Sequence, residues 1–204
     1  PPGWGVMDAT GKRTFLVSSS IPDFRSSKKG ILVDNDGTRI NFPLERGDKK
    51  PALFSLIDRK LALGENNESN LRPSFIQPEK LKIVEWNKGQ QPSLNNTKLP
   101  LLPYERSFAL SVLPDERSFL IGTNWYLWMF NDLGDELWRA SLPEAAFCVN
   151  NSGNGKVVVA GLGDGTIRWY RVSDGQELLA FFSPNDNTGR WILWTPSGYY
   201  DAST

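Results

Sequence analysis

The clearest alternation of apolar and polar positions lies between Phe147 and Phe182, where four short apolar runs are separated by polar turns. Turn chemistry places strands at residues 147–150, 156–162, 166–172 and 177–182. The turns are Asn151-Ser152-Gly153-Asn154-Gly155, Gly163-Asp164-Gly165 and Ser173-Asp174-Gly175. Asp-Gly between apolar runs is a strong hairpin signal, because glycine enters positive φ without steric cost. The pattern predicts a four-stranded antiparallel meander.

The same pattern recurs. The segment ending at Gly122 aligns with the one ending at Gly161, a spacing of 39 residues, and Gly134-Asp135-Glu136-Leu137 matches Gly175-Gln176-Glu177-Leu178 at a spacing of 41. A unit of about 40 residues is the span of a four-stranded propeller blade. Units are expected at residues 4–42, 52–101, 108–142 and 147–182, with a partial unit at 190–204. The predicted fold is therefore all-β, a β-propeller of about four and a half blades across residues 1–204. The chain opens at Pro1-Pro2-Gly3 and stops just after a strand-like stretch, so a fragment of a larger propeller is expected, with open edges that pair with a second copy or with other parts of a parent chain.

Asp164-Gly165-Thr166-Ile167-Arg168-Trp169-Tyr170-Arg171-Val172-Ser173-Asp174-Gly175 resembles the third-strand signature of WD40 repeats. Tyr170 and Arg171 stand where the signature has Trp-Asp, and no Gly-His pair occurs, so the Asp-His network of that family cannot form. Eight tryptophans and five tyrosines suit sheets packed face to face. The stretch from Trp191 to Ser203 is similar to WD40-like regions of large bacterial proteins that also carry a caspase-like peptidase domain. With the preceding repeats, that similarity covers residues 108–203. It implies a cytoplasmic multidomain protein whose peptidase lies outside this chain, and no catalytic residue of such a peptidase maps here.

Composition narrows the chemistry. The 204 residues are 39% hydrophobic and 23% charged, a globular balance. Lys plus Arg and Asp plus Glu each number 23, and this zero net charge disfavours nucleic acid as a partner. There is no histidine, which excludes Ser/His/Asp and Cys/His catalysis and the usual zinc sets. Cys148 is the one cysteine, so no internal disulfide can form, and a reducing compartment fits. No apolar run reaches the roughly 18 residues of a membrane helix.

Each remaining candidate has an ordinary reading. Cys148 sits between Phe147 and Val149 and reads as a packing residue. Asp34-Asn35-Asp36-Gly37 lacks the later ligands of a calcium loop and reads as a hairpin turn. Asn185-Asp186-Asn187-Thr188-Gly189 reads as a linking loop, and Asp115/Glu116 and Asp135/Glu136 as solvated turn residues. Lys28-Lys29 and Lys49-Lys50 read as surface charge. Trp125, Tyr126 and Trp128 are candidate partner contacts, since alternation leaves some of these rings outward. Arg72 and Lys88 are further candidates, standing in the long polar segments 65–73 and 87–97.

The expectation is a noncatalytic protein-interaction or regulatory module with no cofactor and no metal. Its partners would be proteins or other domains of the parent chain, with homo-oligomers forming through open edges. The alternatives are a propeller enzyme acting on a glycan or a hard cation through acidic loop residues, and a ligand-binding propeller with a tryptophan lying flat beside Asn and Asp. Acidic groups converging on the central channel would favour the enzyme.

Overall fold

The structure is a computed structural model that describes residues 4–17, 20–64 and 69–203. Strands β1 (Trp4–Met7) and β2 (Arg13–Val17) form a hairpin. Strands β3 (Leu32–Val33), β4 (Arg39–Glu45), β5 (Lys49–Ser55) and β6 (Lys60–Leu63) make a four-stranded meander. A small three-stranded sheet follows from β7 (Ile83–Val84), β8 (Ser93–Leu94) and β9 (Thr97–Lys98). Strands β10 (Ser107–Val112), β11 (Ser118–Thr123), β12 (Tyr126–Asn131) and β13 (Glu136–Ser141) form the next meander. The last sheet contains β14 (Ala146–Asn151), β15 (Val157–Leu162), β16 (Ile167–Arg171), β17 (Glu177–Phe182), β18 (Ile192–Trp194) and β19 (Tyr200–Ala202). Every named pairing is antiparallel, and among the described residues there is no helix. The chain is all-β, with its sheets in a propeller arrangement.

The β10–β13 and β14–β17 meanders lie within a residue or two of the units expected at 108–142 and 147–182. Two expectations need correction. One meander spans residues 32–63, across the expected break between units 4–42 and 52–101. Pro43 and Pro51 mark that break in the sequence, yet they face each other across β4 and β5. Their position explains the tolerance: β3 pairs only with residues 40–41 of β4, and β6 only with 52–55 of β5, so both prolines stand where the hairpin outruns its neighbours and no ladder N–H is demanded. The segment 190–203 does not begin a fifth blade either. Strand β18 pairs with β17, and the β18–β19 hairpin extends the last sheet to six strands. Trp191 makes this favourable by packing against Phe54 and Phe181, with ring centroids 5.1 and 6.4 Å away.

Strand alternation gives the three large sheets two apolar faces each, and these join the units into a circuit. Leu127 and Met129 of β12 pack with Val158, Ala160 and Tyr170 of the last sheet. Trp128 and Phe130, on the opposite face of β12, pack with Ile83, Leu94 and Leu99. The far face of the last sheet, with Val159, Trp169 and Phe181, packs on Ile40, Phe42 and Phe54 of the β3–β6 sheet. Leu32 and Leu53, on that sheet's other face, meet Leu71 of the segment leading to β7. This last seam is the thinnest.

At the hub lie β3, residues 72–76, β10 and β14. Val33 and Arg72 exchange backbone hydrogen bonds of 3.0 and 2.9 Å, and the Val112 N–H donates to the Phe75 carbonyl at 2.8 Å. Asn150 and Asn151 close the circle. Consecutive strand residues face opposite ways, so Asn150 Nδ2 donates to the carbonyls of Ile31 and Arg72 at 2.7 and 2.8 Å. Asn151 Nδ2 turns the other way and donates to Ser111 Oγ and the Val112 carbonyl at 2.8 and 3.0 Å.

Candidate functional site

A concavity of about 720 Å³ opens where β10 and β14 meet the loops beside the hub. Its floor is apolar: Phe108 and Phe147 stand with ring centroids 5.1 Å apart, beside Ala109, Leu110 and Val149. One wall is the loop 25–30 together with Arg46, and another is residues 73–76 and 86–88.

The first wall is shaped by the β4–β5 turn. Asp48, held at a φ of 64°, accepts the Ser27 hydroxyl and the Lys28 amide N–H, the latter at 2.7 Å. Arg46 donates through Nε and Nη2 to Ser26 Oγ at 3.3 and 3.2 Å. The carboxylate of Asp48 is thus spent on the loop's own donors, and Lys28 is held at the cleft. Arg25 is committed too. It grips Asp23 through two bonds of 2.8 and 2.6 Å, which holds the Asp23 carboxyl below its ordinary range and raises the guanidinium's. On the other wall, the Gly89 carbonyl accepts the Ser107 N–H at 2.9 Å, fixing the 86–89 loop to the start of β10.

Besides the paired Arg25, the lining carries the cationic side chains of Lys28, Lys29, Arg46 and Lys88, and no carboxylate among the described lining residues. Half-buried Trp86 and exposed Ile76 add apolar surface beside Lys88. A smaller cavity of about 330 Å³ adjoins at Arg25 and Phe147, and it does carry Asp23 and Glu144.

Cys148 borders the cleft but is only 4% exposed. Burial, aided by the charge of Asp48, pushes its thiol up to about 12, so it is a protonated packing group and not a nucleophile. Its Sγ faces the Phe24 carbonyl at 3.5 Å.

The candidate contacts separate. Lys88 lines the cleft. Arg72 is outward, but its backbone belongs to the hub, pairing with Val33 and accepting from Asn150. Trp125 is 41% exposed, outside the cleft. Trp128 is fully buried, which corrects its reading as a surface contact: it shares a face of β12 with Tyr126, and that face packs inward. The Arg139 guanidinium covers both rings, 5.4 Å from the Tyr126 centroid and 4.9 Å from that of Trp128. The acidic turn residues serve their own turns: Asp34 accepts the Thr38 N–H at 2.8 Å, Asp115 the Arg117 N–H at 3.0 Å, and Asp135 the Asn131 amide at 3.0 Å.

Ile76, Trp86 and Arg46 were not legible as a site. The local signals were Lys88 in its polar segment and the basic pair Lys28-Lys29, since the cleft is assembled from short segments scattered between residues 25 and 149.

No family model and no curated protein matches the chain. Among solved structures it is similar to the β-propeller domain of Cps50 (Swd1) from Myceliophteria thermophila, at 12% identity and a TM-score of 0.43, over 94% of this chain and 76% of that one. It is also similar to BamB from Moraxella catarrhalis, at 12% identity and a TM-score of 0.40, over 59% of this chain. The matched part spans 47% of the BamB chain, about half its length.

Proposed function

We propose that the chain is a noncatalytic interaction module that binds a protein segment in the hub cleft and serves a larger, cytoplasmic multidomain protein. The observation that carries this is the cleft itself: an apolar floor between two first strands, walled by loops whose own hydrogen bonds hold them in place. Such a floor with a polar rim is the anatomy of a recognition site. The enzyme alternative draws on acidic groups at the channel, and the described lining of the main cleft is cationic instead. The resemblance over residues 108–203 makes a caspase-like peptidase the effector this module would regulate. Self-association belongs to the same reading, because β19 ends the six-stranded order and begins at exposed Tyr200, next to exposed Tyr199.

Photo-crosslinking tests the reading. With p-benzoylphenylalanine at position 86, the chain should form discrete adducts with a protein partner in extracts of its source cells, and the same label at exposed Leu133 should not. Equal labelling from both positions, or none from either, would remove the module reading. Sedimentation should show dimers at micromolar concentration that a Tyr200→Pro change abolishes.

A further inference from the structure

We infer that the hub cleft is a receptor for an acidic peptide segment in which carboxylate side chains flank an apolar one. This rests on the interaction-module reading and names the chemistry of the partner. Charge and shape both lead there. Asp23 is occupied by Arg25, and Asp48 by the Ser27 hydroxyl and the Lys28 N–H. The nearest exposed carboxylate on β4, Glu45, lies 3.8 Å from Lys50. Asp48 keeps its charge but lies behind the loop, outside the lining, so Lys28 and Arg46 on one wall and Lys88 on the other share the cleft surface with no carboxylate among the described lining residues. In a concavity with low-dielectric walls such charges reinforce one another and attract anions.

The chain as a whole is neutral, so this is a local field and not a general affinity for polyanions. Between the charged walls the surface changes character. Trp86, Ile76 and the Phe108/Phe147 pair present apolar area that a sugar-phosphate backbone would leave uncovered. A peptide with acidic residues on either side of an aromatic or aliphatic one satisfies both demands. The volume of about 720 Å³ falls within the range of ~300–1,000 Å³ usual for ligand sites. Lysine heads on flexible stems suit carboxylates presented at variable positions along a peptide.

The test uses fluorescein-labelled decapeptides in which Glu alternates with Phe and Leu, a version with Gln for every Glu, a version with Lys for every Glu, and a labelled oligo-dT. Anisotropy should show saturable binding of the Glu peptide, at least about tenfold weaker for the Gln peptide and undetectable for the Lys peptide. Binding should weaken about tenfold between 50 and 300 mM NaCl, as an interaction between opposite charges requires. The double variant Lys28→Gln/Lys88→Gln should lose most of this affinity while keeping its circular dichroism and melting temperature. Trp86→Ala should weaken the Glu peptide and leave its salt dependence unchanged. Equal binding of the Glu and Gln peptides, tighter binding of oligo-dT, or no binding of the Glu peptide would each overturn the proposal. The two readings fail separately: crosslinked partners at position 86 with no acidic-peptide binding leave the module standing and remove its acidic ligand.

Discussion

The indole N–H of Trp128 lies 2.8 Å from Oε1 of Glu105, and neither side chain has any exposed surface. The same carboxylate accepts the Thr123 hydroxyl and, through Oε2, the Leu102 N–H at 3.0 Å. A buried charge is tolerated only with this many donors. Glu105→Ala strands the Trp128 and Leu102 N–H donors, while the Thr123 hydroxyl can turn to the Tyr126 carbonyl 2.9 Å away, and it should cost roughly 3–5 kcal/mol, lowering the melting temperature by about 6–20 °C. Glu105→Gln keeps an acceptor for Trp128 but sets an NH2 against one of the other donors, so its loss should be about 1–2 kcal/mol. Thermal unfolding followed by circular dichroism checks the order, and equal losses would show that the hydrogen bonds are not what holds Glu105 in place.

Asn150→Ala should destabilise by about 2–3 kcal/mol, since the Ile31 and Arg72 carbonyls lose a shared donor inside the hub. Hydrogen exchange should accelerate first at the Val33 and Arg72 amides, which bond to each other beside it. Val158 and Ile167, inside the β14–β17 sheet, should remain protected. Uniform acceleration would mean that Asn150 holds up the whole molecule, not one junction.

Gly122 and Gly161 occupy the same place in successive repeats, and each lies hard against a neighbouring unit. A Cβ on Gly122 would lie 2.8 Å from Val149 Cγ2, 2.9 Å from Ala146 Cβ and 3.1 Å from the Ala146 carbonyl oxygen. On Gly161 it would lie 2.9 Å from Ile31 Cδ1 and 3.0 Å from Phe24 Cγ. Alanine should cost about 1–3 kcal/mol at either position. Gly122 should be the more sensitive, because backbone yields less readily than the end of an isoleucine. Urea midpoints of the two variants measure the difference.

Alkaline stability should carry the signature of Cys148. In the folded chain the thiol stays protonated up to about 12, and in the unfolded chain it ionises near its ordinary 9.0. Between those values the folded state holds a proton that the unfolded state has released. Stability should therefore be insensitive to this group below about pH 9 and fall by about 1.4 kcal/mol per pH unit as pH rises toward 12. Tyr170, also raised by burial, adds to the fall above pH 10. Cys148→Ala should flatten the first part of the slope, and native protein at pH 8 should resist alkylation until denatured.

The β14–β17 meander was readable because its information is local. Gly165 and Gly175 adopt φ values of 83° and 70°, as the two turns require, and the apolar runs between them are uninterrupted. Gly175 has a second reason for being glycine that no local pattern shows: the Trp138 ring of the neighbouring sheet lies 2.5 Å from where its Cβ would be. Residues 32–63 were misdivided between 42 and 52, although Pro43 and Pro51 stand there within one hairpin whose neighbours in the sheet end short of them. Asn150 was expected at the end of a strand and Asn151 in the turn after it; both lie in β14, and together they clasp two sheets. The cleft was the least legible part, since its charges become a set only through the closing of the circuit. Lys88 was found by its loop, and Arg46 had no signal of its own.

That closing has a cost in time. Trp169 donates its indole N–H to the Gly37 carbonyl at 2.8 Å across a sequence separation of 132 residues, and the large apolar cluster around it joins the earliest complete sheet to the last. At ~5–20 residues per second, a ribosome takes roughly 7–26 s to traverse that interval. Throughout it, Ile40, Phe42 and Phe54 have emerged while the surface that will cover them has not been made. The first sheet is thus born with its inner face open, and the nascent chain's exposure to chaperones and to aggregation is set by how late its final repeat arrives.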